Sequence, residues 1–463
     1  MTVPSDAVIL FGASGDLARR KLFPALQELT RDGRLDPVPV IGVAGRAWSD
    51  DDLRDHAREG IERFDGPHRD EDAFARLARE LHYVSGDYRD DTTYEALAEA
   101  VGDATRPLIY LAIPPSLFET VIAGLAGVGL NDGGRVVVEK PFGRDLDSAR
   151  RLNQCLLSAF PEASVFRIDH FLGKATVLDL LVLRLGNTFL EPVWNSHYID
   201  NVQITMAEDF GIEGRGKLYE EVGALRDVVQ NHLLQIVSLV AMEPPVDIRA
   251  RALRDEKSKV LRSIRTVDPD EVVRGQYRGY RDEEGVAASS QVETFVALRA
   301  WVDSWRWAGV PFYLRAGKRL ATTATEVLVE FRRPPMAFFA HAGAPPPHPN
   351  HLVFRMNPGE RVSLSVQIKQ PGDAFVSRPV DLVYEYDERR EGPHEAAYAR
   401  LLAGAMVGDQ TLFARADVVE EAWRIVGRLL QHPPELRLYE PGTWGPAHAE
   451  ELIDRDGGWH DPR

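Results

Sequence analysis

The stretch that most constrains this chain lies near its amino terminus. Val8-Ile-Leu-Phe-Gly12-Ala13-Ser14-Gly15-Asp16-Leu17-Ala18 reads as an apolar strand, a tight glycine turn and a helix start. Glycines let a backbone approach a bulky anion, and a helix start offers N–H donors at the positive end of its dipole. The spacing is G-x-x-G-x-x-A rather than G-x-G-x-x-G, and the small Ala18 still permits close helix–strand packing. A plain structural turn is the competing reading. The place of the motif at the head of a strand–helix series favours a dinucleotide diphosphate. Gly12, Ala13, Ser14, Gly15, Asp16 and Leu17 are therefore candidate cofactor residues.

The residues that follow keep alternating. Apolar runs at Pro39–Val43, Leu108–Ile113 and Arg135–Val138 read as buried strands. Leu17–Arg31, Asp50–Phe64, Asp70–Leu81 and Leu146–Ser158 have helical periodicity. Continuous apolar strands between helices predict a parallel, doubly wound α/β Rossmann sheet. Beyond Phe166–His170 the pattern changes. Strands are expected at Val202–Met206, Glu293–Val302, Thr325–Phe331 and Arg361–Lys369, and helices at Leu218–Val240, Ile248–Ile264, Glu395–Met406 and Asp417–Leu430. We read residues 1–170 as a dinucleotide-binding Rossmann domain. Residues 171–463 read as a large α+β domain with a mainly antiparallel sheet.

Composition narrows the partners. The 463 residues carry a formal charge of −16, which disfavours a general nucleic-acid binder. Cys155 is the single cysteine, so no intramolecular disulfide forms. No apolar run is long enough to span a bilayer, and the start lacks a basic signal-peptide region. A cytoplasmic protein without membrane or nucleic-acid partners is expected. His341, His348 and His351 share a proline-rich loop and read as surface residues rather than metal ligands.

Strand ends should border the crevice of a doubly wound sheet. The second strand ends in Val43-Ala-Gly-Arg46, where an NAD site usually carries an acid for the ribose 2′-hydroxyl. An arginine there suits a 2′-phosphate, so NADP is the expected cofactor, with NAD possible. Asp87, Tyr110 and Lys140 stand at later strand ends. Lys140, in Glu139-Lys140-Pro141, is placed to meet cofactor, substrate or both, although a salt bridge to Glu139 would also explain it. Lys21 starts the first helix beside Arg19 and Arg20.

The second half carries further polar groups in apolar settings. His170 and Lys174 are four apart in RIDHFLGK, on one face if that segment turns helical, and suit a phosphate. Asp227 and His232 lie in one strongly apolar helix. On an ideal α-helix they stand roughly 140° apart and share no narrow stripe. A core histidine is the commoner explanation, but a carboxylate partner from elsewhere would make His232 a general base. Glu208 follows a strand, and Lys318 ends a Tyr313-Leu-Arg-Ala-Gly-Lys318 run.

Taken together, GASGDLA, RRKLFPAL, the IPP turn, EKPFG, RIDHFLGK, EDFGIEGRG, RDVVQNHLLQ, RAGK and GDQTLF resemble the glucose-6-phosphate dehydrogenase family along nearly the whole chain. The resemblance implies oxidation of a sugar C1 hydroxyl to a lactone, with hydride passing to NADP or NAD. It also implies a homodimer or homotetramer built on the broad sheet. Carried over, His232 takes the C1 proton, Asp169 pairs with His232, and Lys140 bridges cofactor and substrate. Glu208, Asp227 and Lys318 hold the sugar, His170 and Lys174 its phosphate, and Lys21 lies near the cleft. Two positions depart from the family's pattern: Phe171 replaces a tyrosine, and Thr323 stands where a second cation is common. Both would weaken a phosphate grip, which leaves another hexose, or a non-catalytic nucleotide-binding paralogue, as alternatives.

Overall fold

The computed structural model describes residues 3–35, 38–64, 70–169, 171–173, 175–336, 349–372, 376–386 and 396–462. His170, Lys174, His341 and His348 lie outside the described residues. The chain forms two compact units. One comprises Met1–Lys174, Pro245–Asp255 and Glu395–Glu420; the other comprises Ala175–Pro244, Glu256–His394 and Glu421–Arg463.

The first unit is built on β1 (Ala7–Phe11), β2 (Val40–Ala44), β3 (Leu81–Ser85), β4 (Pro107–Leu111), β5 (Arg135–Glu139) and β6 (Val165–Ile168). Their order across the sheet is β3-β2-β1-β4-β5-β6, all parallel. β1, β2 and β4 are buried at every position, as apolar strands covered on both faces must be. The order reverses between β2 and β4 around β1, so the crevice beyond the carboxyl end of β1 is the expected ligand site. The expected first helix is two pieces: a π-helical turn at Ala18–Leu22 and an α-helix at Phe23–Arg31. Helices at Asp91–Val101 and Phe118–Gly127 were not apparent from periodicity. The first has a modest amphipathic contrast and the second is largely apolar.

The chain returns to this sheet late. β15 (Phe413–Ala414) pairs antiparallel with β6. A partly buried ion-pair hub holds the returning segment there. Glu162 receives Arg167 at 2.9 Å, Arg254 at 3.0 Å and the Ala416 backbone N–H at 3.1 Å. Gln410, from the GDQTLF run, donates to the Glu162 and Val165 carbonyls and bonds Arg254. Helix Ala397–Val407 packs its apolar face into the same core.

Among the described residues the second unit holds a nine-stranded sheet. It comprises β7 (Ile199–Ala207), β8 (Val272–Tyr277), β9 (Phe295–Trp301), β10 (Pro311–Gly317), β11 (Ala324–Phe331), β12 (His351–Asn357), β13 (Arg361–Lys369), β14 (Ser377–Glu385) and β16 (Leu436–Tyr439). The order is β14-β13-β12-β11-β7-β10-β9-β8-β16, and only β7–β10 and β8–β16 run parallel. The sheet is thus mainly antiparallel, as its alternating strands implied. Two expectations are corrected. His351 opens β12 and is half-buried instead of lying on a surface loop. Glu293 precedes β9 rather than starting it, because its side chain and carbonyl are engaged elsewhere.

The predicted helix Leu218–Val240 is also broken. Gly223 adopts φ 60°, ψ 177° at the end of Gly216–Ala224. The chain then runs as a π-helix over Leu225–Leu233 and an α-helix over Leu234–Ala241. No helix among the described residues is long and apolar enough to cross a membrane.

Candidate active site

The glycine turn closes tightly over β1. Gly12 has φ +80°, and a Cβ there would stand 2.3 Å from the Ala112 carbonyl oxygen, so no side chain fits. Its N–H donates to the Val43 carbonyl at 2.9 Å and to the Tyr88 hydroxyl at 3.0 Å. The Tyr88 hydroxyl in turn donates to Val43 at 3.1 Å. Sequence reading missed Tyr88 and singled out its neighbour Asp87. Asp87 is exposed, and its carbonyl and carboxylate accept from Thr93 and the Arg89 N–H in the turn that starts the next helix. Ala13 is buried, Ser14 and Leu17 are half-buried, and Gly15 and Asp16 are exposed. Asp16 pairs with Arg20 at 3.3 Å, and Arg19 and Arg20 lie over the Phe64 ring. Lys21 is exposed.

Arg46 is held from behind. Its carbonyl accepts the Tyr83 and Ser85 hydroxyls, each at 2.9 Å, and its guanidinium stacks over Trp48 at 5.2 Å. The exposed cation is therefore pre-oriented at the end of β2, the place where a 2′-phosphate would sit. A glycine turn that admits no side chain, with a stacked arginine at the neighbouring strand end, fits NADP.

At the end of β5 the burial is deeper. Glu139 accepts the Tyr110 hydroxyl at 2.5 Å. A second hydroxyl, from Tyr398, also bonds Glu139. Burial pushes the Glu139 carboxyl above its ordinary range, while the two hydroxyls and Lys140 pull it down. Tyr110 is fully buried, so it supports the crevice through Glu139 instead of presenting its hydroxyl. Lys140 follows directly, joined to Pro141 by a cis peptide. Asp169 is 3% exposed, accepts the Phe171 N–H at 3.0 Å, and its charge acts on Tyr398. Phe171 is itself buried.

In the second unit, β7 and β10 end side by side and bring Glu208 and Lys318 together. Glu208 donates its N–H to Gly317 at 3.0 Å, and its carboxylate pairs with the Lys318 ammonium. That ammonium lies 5.4 Å from the Phe210 ring centre and 5.3 Å from that of Tyr219. Lys318 is only 4% exposed, so the cation is desolvated and fixed. Tyr219 also feels the charges of Asp227 and Glu208; burial first, then Asp227, raises its phenol pKa well above ordinary. Lys318, paired with Glu208, thus lies over one buried phenol that the sequence did not single out, and the charge of Asp227 reaches the same phenol.

The π-helix corrects the α-helical geometry expected for Asp227 and His232. Its bonds run from residue i to i+5, so five residues overshoot a full turn by far less than on an α-helix and bring Asp227 and His232 onto roughly the same face. Asn231 fastens this turn. Its amide donates to the Arg226 carbonyl at 3.1 Å and its oxygen accepts the His232 N–H at 2.6 Å. His232 is buried and Asp227 half-buried. Asp169 belongs to the first unit and His232 to the second. Near β11, the Thr323 hydroxyl accepts the Asp209 N–H at 3.0 Å and bonds its carboxylate.

Comparison with known proteins agrees with both halves. Residues 9–179 match the family model "Glucose-6-phosphate dehydrogenase, NAD binding domain", and residues 181–460 match its C-terminal domain. The chain belongs to the glucose-6-phosphate dehydrogenase family. It is 46% identical over 459 residues to glucose-6-phosphate 1-dehydrogenase 1 of Mycobacterium tuberculosis, covering 99% of this chain and 97% of that protein. The crystal structure of glucose-6-phosphate 1-dehydrogenase from Mycobacterium avium matches with a TM-score of 0.91 at 45% identity, over 99% of this chain and 100% of the other. A glucose-6-phosphate dehydrogenase solved in complex with its substrate glucose-6-phosphate matches equally well, with a TM-score of 0.91 at 36% identity and 100% coverage of both chains. This glucose-6-phosphate dehydrogenase family member therefore joins an NAD(P)-type Rossmann sheet to a mainly antiparallel one.

Proposed function

We infer that this chain is a glucose-6-phosphate dehydrogenase that oxidises the C1 hydroxyl of glucose 6-phosphate to 6-phosphogluconolactone, the entry step of the pentose phosphate pathway. The observation that carries the reading is the Glu208–Lys318–Asp227 cluster around Tyr219, with His232 on the same face of the π-helix as Asp227. Two carboxylates and one fixed cation suit several hydroxyls of one sugar. An imidazole beside them suits the proton at C1.

NADP, when bound, accepts the hydride. The remaining work falls to protein groups. His232 takes the C1 hydroxyl proton, and Asp169 pairs with it, orienting the ring and stabilising its charged form. Lys140 contacts cofactor and sugar together. Glu208 and Asp227 accept from sugar hydroxyls, Lys318 donates to the sugar, and His170 and Lys174 bind its phosphate, with Lys21 near the cleft. Gly12 to Leu17 cradle the diphosphate, Arg46 holds the 2′-phosphate, Asp87 stands at the next strand end, and Tyr110 supports the crevice through Glu139. Residues 1–170 supply the dinucleotide-binding domain and 171–463 the substrate-binding and dimerisation domain, apart from the returning segments 245–255 and 395–420 that pack with the first unit. The enzyme works in the cytoplasm as a homodimer or homotetramer. Leu382, Val383 and Tyr384, exposed on β14, support that assembly.

Initial rates with NADP and NAD against glucose 6-phosphate, glucose and other sugar phosphates test the reading. Turnover of glucose 6-phosphate with NADP is expected. Turnover of another sugar only, or nucleotide binding without turnover, would overturn it.

A further inference from the structure

One short segment touches both halves of the sugar cluster. Glu293 is 6% exposed and carries two duties. Its carboxylate accepts the Leu225 N–H at 3.2 Å, and its main-chain carbonyl accepts the Ala224 N–H at 2.9 Å. These are the donors at the start of the π-helix, which would otherwise have no intrahelical partner. A carboxylate there also faces the positive end of the helix dipole. The other carboxylate oxygen is held by Arg274, at 2.9 Å from Nη2 and 3.3 Å from Nε. Arg274 is itself pinned by the Pro434 and Gln291 carbonyls at 2.9 and 2.8 Å.

Gly223 lets the helix come this close. Its φ 60°, ψ 177° is a conformation essentially reserved for glycine, and a Cβ would stand 2.5 Å from the Glu293 carboxylate. The next residue reaches the other half. The Thr294 carbonyl accepts the Lys318 N–H at 2.9 Å, and its hydroxyl bonds the Tyr439 hydroxyl at 3.0 Å. Tyr439 in turn donates to the Lys318 carbonyl at 2.5 Å.

We infer that Glu293, anchored by Arg274, is a positioning residue for the reaction. It sets the start and register of the π-helix that presents Asp227 and His232, while the adjoining Thr294 fixes Lys318 relative to that helix. This rests on the functional reading above. The physical need is plain: a displacement of about 1 Å in a reacting group costs on the order of 100-fold in rate.

The test compares Glu293→Ala, the milder Glu293→Gln, and His232→Asn in the full-length enzyme. The readouts are kcat, KM for glucose 6-phosphate, the pH profile of kcat, Tm, and NADPH affinity by fluorescence. Glu293→Ala should lower kcat/KM for glucose 6-phosphate by about 100-fold and Glu293→Gln by about tenfold, with NADPH affinity kept. The acid limb of kcat should move to lower pH, since an imidazole shifted from its carboxylate loses the charge that favours protonation. A lowered Tm with kcat, KM and the acid limb all unchanged would make the pair a folding element only, and would overturn the inference. If Glu293→Ala does not yield NADPH-binding protein, Glu293→Gln decides by the same criteria. Full kcat in His232→Asn would refute the functional reading itself. Loss of kcat there, with unaffected Glu293 variants, would refute only the positioning role.

Discussion

Replacing Tyr110 by Phe removes one hydroxyl from a fully buried site and leaves the ring in place. The hydroxyl gives a 2.5 Å hydrogen bond to Glu139, which Tyr398 also supports. Loss of one hydrogen bond to a charged group costs about 1.5–3 kcal/mol. In a unit of about two hundred residues each kcal/mol moves Tm by about 2–4 °C. Tyr110→Phe should therefore lower Tm by about 3–12 °C near neutral pH. The pH dependence sharpens the test. Burial already raises the Glu139 pKa in the folded state, whereas the hydroxyls favour its ionised form. A raised folded pKa means that stability from this group is present below the unfolded pKa and lost as pH rises through the folded one. Deleting a hydroxyl raises that pKa further, so the Tm deficit should grow from pH 5 to pH 8. KM for NADP should change less than threefold, about 0.7 kcal/mol, because the hydroxyl serves Glu139 and not the cofactor. Scanning calorimetry across that range is the assay. A deficit that is flat with pH, or largest in acid, would refute the reasoning.

Other outcomes follow from single contacts. Arg46→Ala should raise KM for NADP by about 10–100-fold and leave KM for NAD unchanged, the loss of one charge-assisted bond to a 2′-phosphate; equal effects on both would remove Arg46 from cofactor choice. Thr323→Lys should lower KM for glucose 6-phosphate by about two- to fivefold, a surface-type gain; an unchanged KM, with the new ammonium drawn to Asp209, would show that the position does not reach the phosphate. Glu330 is pushed up to about 7, by burial and then by Asp200. Stability from its protonated form is lost as pH rises between the unfolded carboxyl value and about 7, so Glu330→Gln should raise the unfolding free energy at pH 8 by about 1–2 kcal/mol after allowing for partial exposure, and leave it unchanged near pH 4.5, as read by denaturant melts at the two pH values.

Residue types and local spacing alone determined much of this protein. Val8–Ala18 announces a strand, a glycine turn and a helix because glycine geometry and helix-end donors are local properties. The alternation of apolar strands with helices fixes a parallel sheet, and Arg46 at the second strand's end points to a 2′-phosphate before any fold is drawn. Tertiary structure decided what depends on distant groups. That Glu139 is held between Tyr110 and Tyr398 requires a helix some 260 residues later in the chain to pack on the first sheet. That Asp227 and His232 share a face requires a π-helix. No local propensity specifies one; here it accompanies Gly223, Asn231 and the Glu293 carboxylate, the last arriving from beyond β8. Helical periodicity is written in neighbouring residues, whereas the register of a strained turn is set by whichever buried group satisfies its free donors.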